Sequence, residues 1–209
     1  MKQILCFGDS NTYGLIPATK ERYAWGIRWT SLLSQKIEKQ GYRIIEEGLC
    51  GRTTIFDDPL RDGRKGIQML PSILETHIPV DIILLMLGTN DCKTVYGACA
   101  DLIGMGIEKL LAQINLFTPQ SKILLVSPIH LGEKVWQDGF DQEFSKTSVA
   151  TSKELDNVYK KIAEKRNIYH LQASEYAKSS EIDQEHLNEE GHKKLAEAIY
   201  QKLSMDLLL

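Results

Sequence analysis

No apolar run in the chain approaches the roughly 20 residues needed to cross a bilayer, so no membrane-spanning helix and no membrane partner are expected. Cysteines are few: Cys6, Cys50, Cys92 and Cys99 include no CxxC pair. Their spacing fits neither a zinc site nor a thioredoxin-like motif, so reduced, non-catalytic thiols are expected, with no metal and no cofactor. An excess of positive charge is also missing. The 25 Lys and Arg are set against 28 Asp and Glu, for a formal net charge of -3. Without a basic stripe to neutralise phosphates, a nucleic-acid partner is not expected. Near the amino end, one lysine and a short apolar run stopped by Gly8-Asp9 are too little for a signal-peptide core, so the expected address is cytoplasmic. Repeats, low-complexity stretches and linkers are absent as well. What is present is 209 residues, 43% hydrophobic, enough for one domain over 1–209 with a sizeable core.

Apolar runs alternate with helical patterns along that length. Strands are expected at 4–7, 42–46, 81–87, 122–126 and 168–171. Helices are expected at 25–40, 67–77 with Pro71 in its first turn, 107–117, 151–165 and 195–203. The run at 81–87 is continuously apolar after its first residue, as in a strand covered on both faces. Alternating strands and helices predict a three-layer α/β/α sandwich, flavodoxin-like, around a five-stranded parallel sheet of order 2-1-3-4-5. Two long loops, 48–64 and 128–143, leave carboxyl ends of strands, the rim where open parallel sheets bind ligands.

The same rim holds the residues that could carry chemistry. Ser10 follows the first strand in Phe7-Gly8-Asp9-Ser10-Asn11. A turn serine is usually a cap, and the Gly-x-Ser-x-Gly elbow of the α/β-hydrolases is absent, since Thr12 stands where its second glycine would be. Asn90, in Gly88-Thr89-Asn90-Asp91, is either a turn residue or a neutral amide donor to a developing oxyanion. Gly51 is either a flexible loop glycine or a backbone donor that a ligand can approach closely. Among the histidines, His77 reads as a cap or surface group, His170 as a core or edge residue, and His192, next to Lys193 and Lys194, as solvated. His130 lies on the reactive rim and is a rival base. His186 has a carboxylate three residues earlier, Asp183, and a helix start just after it at Asn188-Glu189-Glu190. A serine hydroxyl needs such a base, and the base needs such an orienting group.

Together these stretches resemble the SGNH hydrolases, the GDSL esterase/lipase family. Gly8-Asp9-Ser10, Gly51 within Gly48-Leu49-Cys50-Gly51-Arg52, Gly88-Thr89-Asn90-Asp91 and Asp183-Gln184-Glu185-His186 match its four blocks in order. Arg28-Trp29-Thr30, Arg52-Thr53-Thr54, Asp57-Asp58-Pro59 and Met86-Leu87-Gly88 are similar to the arylesterase/acyltransferase branch. The resemblance implies Ser10 as nucleophile, His186 as base and Asp183 as its orienter. It implies an oxyanion hole from the N–H groups of Ser10 and Gly51 and the Asn90 side chain. The implied activity is hydrolysis of short-chain aryl or alkyl esters through an acyl-enzyme, with acyl transfer to alcohols in some members and homo-oligomers in others. Asp9, Trp25, Ile129, Trp136 and Phe140 are candidates for the substrate pocket. Two departures stand out. Asn11 replaces the leucine of the family name. Leu15 stands where an acyl-transferring relative carries an aromatic residue, which weighs against efficient transfer but not against hydrolysis. The same triad would equally serve a carbohydrate deacetylase or an acyl thioesterase, because specificity lies in the pocket. A more distant alternative is a flavodoxin-like nucleotide-binding module, with phosphate held by Ser10, Asn11 and Thr12.

Overall fold

Alternation of side chains along the strands sorts the core into two halves. In a computed structural model that describes residues 1–207, the strands are β1 (Lys2–Gly8), β2 (Tyr42–Gly48), β3 (Ile82–Met86), β4 (Lys122–Ser127) and β5 (Tyr169–Gln172). Positions 208 and 209, the end of the expected 1–209 domain, lie outside the described residues. Leu5, Phe7, Ile83, Leu85 and Leu125 point to one face of the sheet. Ile4, Cys6, Ile82, Leu84 and Leu124 point to the other. A strand with both faces apolar must be covered on both sides. Helices α3 (Gly66–His77), α4 (Ala100–Phe117) and α5 (Lys146–Arg166) cover the first face. Helices α2 (Trp29–Ile37) and α6 (Glu189–Lys202) cover the second.

All strand pairs are parallel and the order is β2-β1-β3-β4-β5, as the sequence predicts. The chain leaves β1 toward β2 and then returns across it to β3. The crevice beyond the carboxyl ends of β1 and β3 is therefore the switch point at which this class of sheet binds ligands.

Helix boundaries are where sequence and structure part. Helix α4 begins at Ala100, seven residues before the expected 107, because Gly104 and Gly106 interrupt the apolar pattern. Both glycines are close-packing sites: a Cβ would lie 2.5 Å from Val158 Cγ1 at Gly104 and 2.3 Å from Thr54 Oγ1 at Gly106. Helix α5 begins at Lys146 rather than 151, started by a capping box in which Ser145 and Ser148 exchange hydrogen bonds. Helix α2 begins at Trp29 rather than 25.

Pro71 is not in the first turn of α3. It lies further in, where a missing N–H leaves the Ile67 carbonyl without its helical donor. Gln113 of α4 fills the gap, its Nε2 donating to Ile67 O at 2.9 Å. Gln113→Ala is expected to destabilise the fold by about 1 kcal/mol, the net worth of one such bond, and not more. The amide oxygen of Gln113 is itself buried without a partner, so its removal offsets part of the loss. Denaturant unfolding of the two proteins checks this.

Candidate active site

Ser10 is placed by a sharp turn at the end of β1. Gly8 closes the strand against Thr12, so tightly that a Cβ there would lie 2.1 Å from Thr12 Oγ1. Asp9 caps the single helical turn α1 (Ser10–Tyr13), its Oδ1 accepting the Asn11 N–H at 3.0 Å. Burial pushes the Asp9 carboxyl up to about 6, and its other oxygen has no hydrogen-bond partner. Ser10 is the first residue of this turn and stands at the mouth of the crevice.

The segment before α6 brings in the other two residues. His186 Nε2 lies 2.9 Å from Ser10 Oγ, and His186 Nδ1 lies 2.8 Å from Asp183 Oδ2. Asp183 Oδ1 accepts the backbone N–H groups of Glu185 and His186, each at 3.0 Å. Asp183 Oδ2 also accepts the Ala18 N–H at 3.0 Å. Burial works against the Asp183 charge, but these donors, with His186 first, hold the carboxyl below its usual range. For His186, burial favours the neutral ring. The carboxylates of Glu185 and Asp183 outweigh it and raise the imidazole to about 9. The turn that makes this possible puts Gln184 at φ +62, a left-handed conformation uncommon for a side-chain-bearing residue. Gln184 is held there by Gly132 N–H on its carbonyl at 2.7 Å and by its own N–H on Ser180 O at 2.7 Å.

Asn11, read from sequence as a departure and as a phosphate holder in the distant alternative, ties the two halves together. Its Oδ1 accepts the Leu187 N–H at 2.9 Å and its Nδ2 donates to Glu185 O at 3.5 Å. It thus grips the backbone on both sides of His186. The indole of Trp29 donates to the Asn11 carbonyl at 3.0 Å and fixes the gripping residue in turn.

The oxyanion-hole candidates converge by a different set of bonds. Arg52, buried with its guanidinium 4.1 Å from the Phe7 ring centroid, donates to Gly8 O at 2.8 Å and to Glu47 O. Burial lowers its pKa to about 10. The Gly51 loop is thereby stapled to the ends of β1 and β2. Gly51 has φ +81, and its N–H has no hydrogen-bond partner among the described residues. Asn90 Nδ2 donates one hydrogen to Arg52 O at 3.2 Å, which leaves its second hydrogen free. Asp91 accepts the Thr54 N–H at 2.9 Å and the Thr54 hydroxyl, locking the end of β3 to the same loop.

Other expected residues fall elsewhere. His130 is hydrogen-bonded through Nε2 to Asp156 Oδ2 at 2.6 Å, and Gln172 and Ser174 donate to that same oxygen. His192 is not solvated. It is fully buried on the inner face of α6, its Nδ1 accepts the Trp29 N–H at 3.3 Å, and burial followed by the nearby Arg28 drives its pKa down to about 4. His170 sits beside Ser127 Oγ at 2.7 Å, and His77 lies 3.3 Å from Glu47. Of the pocket candidates, Phe140 lines a depression of about 400 Å³ beside His186. Ile129 is instead buried in the apolar core, Asp9 is the cap described above, and Trp25 and Trp136 are exposed.

A serine, a histidine on its hydroxyl and an aspartate on the other ring nitrogen form a unit for acyl transfer. The GDSL-like lipase/acylhydrolase family profile matches residues 6–194. The chain belongs to that family. A carbohydrate acetylesterase from Sinorhizobium meliloti is 34% identical with a TM-score of 0.91, covering 98% of this chain and 99% of its own. An aryl esterase from M. smegmatis is 32% identical with a TM-score of 0.88, covering 97% of this chain and 98% of its own. None of the curated proteins matches. The protein is thus a carboxylic ester hydrolase of the GDSL type, and no helix among the described residues is long and apolar enough to cross a membrane.

The grip of Asn11 has a measurable consequence in this enzyme. Asn11→Ala is expected to lower kcat roughly 10- to 100-fold on an aryl ester, because small misplacements of a reacting group are costly. The Michaelis constant should change far less. Steady-state kinetics checks the split, and a loss confined to the Michaelis constant would contradict it.

Proposed function

We propose that the enzyme hydrolyses short-chain aryl or alkyl esters through an acyl-Ser10 intermediate, with Ser10, His186 and Asp183 as its catalytic residues. The observation that carries this reading is the Ser10 Oγ to His186 Nε2 distance of 2.9 Å, with Asp183 on the far nitrogen at 2.8 Å. His186 takes the Ser10 proton as Oγ bonds to the carbonyl carbon. The oxyanion that forms is stabilised by the N–H groups of Ser10 and Gly51 and by Asn90. The carbon–alcohol bond then breaks, and His186 returns the proton to the leaving oxygen. Water repeats the sequence on the acyl-enzyme. The small depression next to His186 supports short substrates, and Leu15 on its wall supports hydrolysis over transfer to alcohols. All four cysteines are free, which supports a reducing, cytoplasmic setting. Deacetylation of sugars is a second reading, favoured by the likeness to the Sinorhizobium acetylesterase.

Purified protein with a panel of aryl esters, sugar acetates and acyl thioesters tests these readings. Ser10→Ala and His186→Ala should each abolish hydrolysis, and His130→Ala should leave most of it. An active Ser10→Ala variant would remove the nucleophile assignment. Asn90→Ala should lower kcat by about 10²–10³, the usual cost of one oxyanion donor.

The pH dependence follows from the base. His186 must be neutral to accept a proton, and its pKa is raised to about 9. Activity on a neutral ester should therefore rise with pH through one ionisation, with a midpoint well above the ~6.5 of a free imidazole. A pH–rate profile with its midpoint at or below that reference would contradict the two-carboxylate environment. The same shift stabilises the fold below the unfolded pKa of ~6.5, and that contribution is lost as pH rises through about 9.

A further inference from the structure

We propose that Glu185 is a specificity-determining residue that favours esters whose alcohol part carries a positive charge, such as an alkylammonium group. The inference rests on the esterase reading. In that reaction His186 Nε2 hands its proton to the leaving alcohol, so the alcohol oxygen lies next to that nitrogen. Glu185 Oε1 is 3.7 Å from the same nitrogen. Whatever substituent the alcohol bears therefore passes within a few ångströms of the Glu185 carboxylate.

Glu185 is only 7% exposed, yet its side chain accepts no hydrogen bond among the described residues. The donor nearest to it, His186 Nε2, is directed at Ser10. Glu185 nevertheless lines the depression of about 400 Å³ that opens beside His186. Burial pushes the Glu185 carboxyl up, and the cation that faces it, the His186 ring at 3.7 Å, is neutral in the form that accepts the Ser10 proton. The other carboxylates on that wall are committed. Asp183 is taken up by His186 and by backbone N–H groups, and Asp141 Oδ1 accepts the Glu143 N–H at 2.9 Å. No lysine or arginine lines the depression. Lys93 acts on Glu185 through space, but its Nζ is bound by Glu143 Oε2 at 2.6 Å. An arriving ammonium would supply a cation to Glu185 in that reactive form, and the Phe140 ring on the same wall adds a face of negative potential. An anionic alcohol would meet three carboxylates and no compensation.

The test compares three acetates of similar size: a trimethylammonioethyl ester, its neutral dimethylbutyl isostere, and a carboxylate-bearing alkyl ester. In the wild type, kcat/KM is expected to favour the cationic over the neutral ester by roughly 5- to 30-fold, and the anionic ester should be the poorest. The preference should shrink with added salt. Glu185→Gln should bring the cationic-to-neutral ratio close to one. Any effect of that substitution on His186 is common to both esters and cancels in the ratio. Glu185→Asp, which keeps the charge but draws it back, should fall between. A wild-type ratio near one, or a ratio unchanged by Glu185→Gln, would overturn the proposal. So would a sugar acetate turned over faster than all three with that ratio near one, which would make Glu185 a hydroxyl acceptor. The wild-type ratio and its salt dependence need no variant to fold. Failure of the wild type to hydrolyse any ester, with no organophosphonate labelling of Ser10, would instead remove the esterase reading and this inference with it.

Discussion

The constraint on which the rest of the molecule depends is the reversal of winding beside β1. A parallel sheet built outward in one direction has closed loops along its whole rim. Here β2 lies on one side of β1 and β3 on the other, so the connections leave the two strands in opposite directions and a gap opens between them. The Ser10 turn, the Gly51 loop and the Asn90 turn all end at that gap. They are not held there by burial of apolar groups, since the rim is polar. They are held by directed bonds from buried donors, chiefly Arg52 to Gly8 and Glu47 and Asn90 to Arg52. Each of these buried groups would be costly without its partner, and that cost is what fixes the geometry.

Environment sorts the carboxylates around the gap into different roles. Asp183 collects donors from three backbone N–H groups and an imidazole and stays charged. Asp9 and Asp91 are fully surrounded by protein, and burial raises both to about 6. Their work is to cap α1 and to lock the Thr54 loop. The Glu185 side chain accepts no hydrogen bond among the described residues and faces only the His186 ring, at 3.7 Å, which makes it the carboxylate on this rim that a ligand could address.

Much of this was legible in the sequence. Five apolar runs separated by helical patterns gave the sheet, and the spacing of turns after those runs gave the rim. Ser10 and Asn90 were visible because polar residues stood where strands stop, and Asp183 and His186 because a carboxylate preceded an imidazole by three residues just before a helix start. The start of α4 was hidden because Gly104 and Gly106 lower helical pattern strength, and only the packing against Val158 and Thr54 explains them. His192 looked solvated because Lys193 and Lys194 follow it, yet the helix turns it inward while they face out. Asn11 and Glu185 carried no pattern of their own. Their meaning lies in contacts with residues far away in the chain, and nothing local encodes those.

The bond between Ser10 and His186 joins positions 176 apart. A ribosome releases the serine turn well before the histidine segment. Until the Asp183–His186 segment docks beside Asn11, the Ser10 hydroxyl lacks its imidazole partner. The Ser10–His186 pair and the packed domain therefore arrive together, and forming that pair doubles as a report that the segment before α6 has found its place.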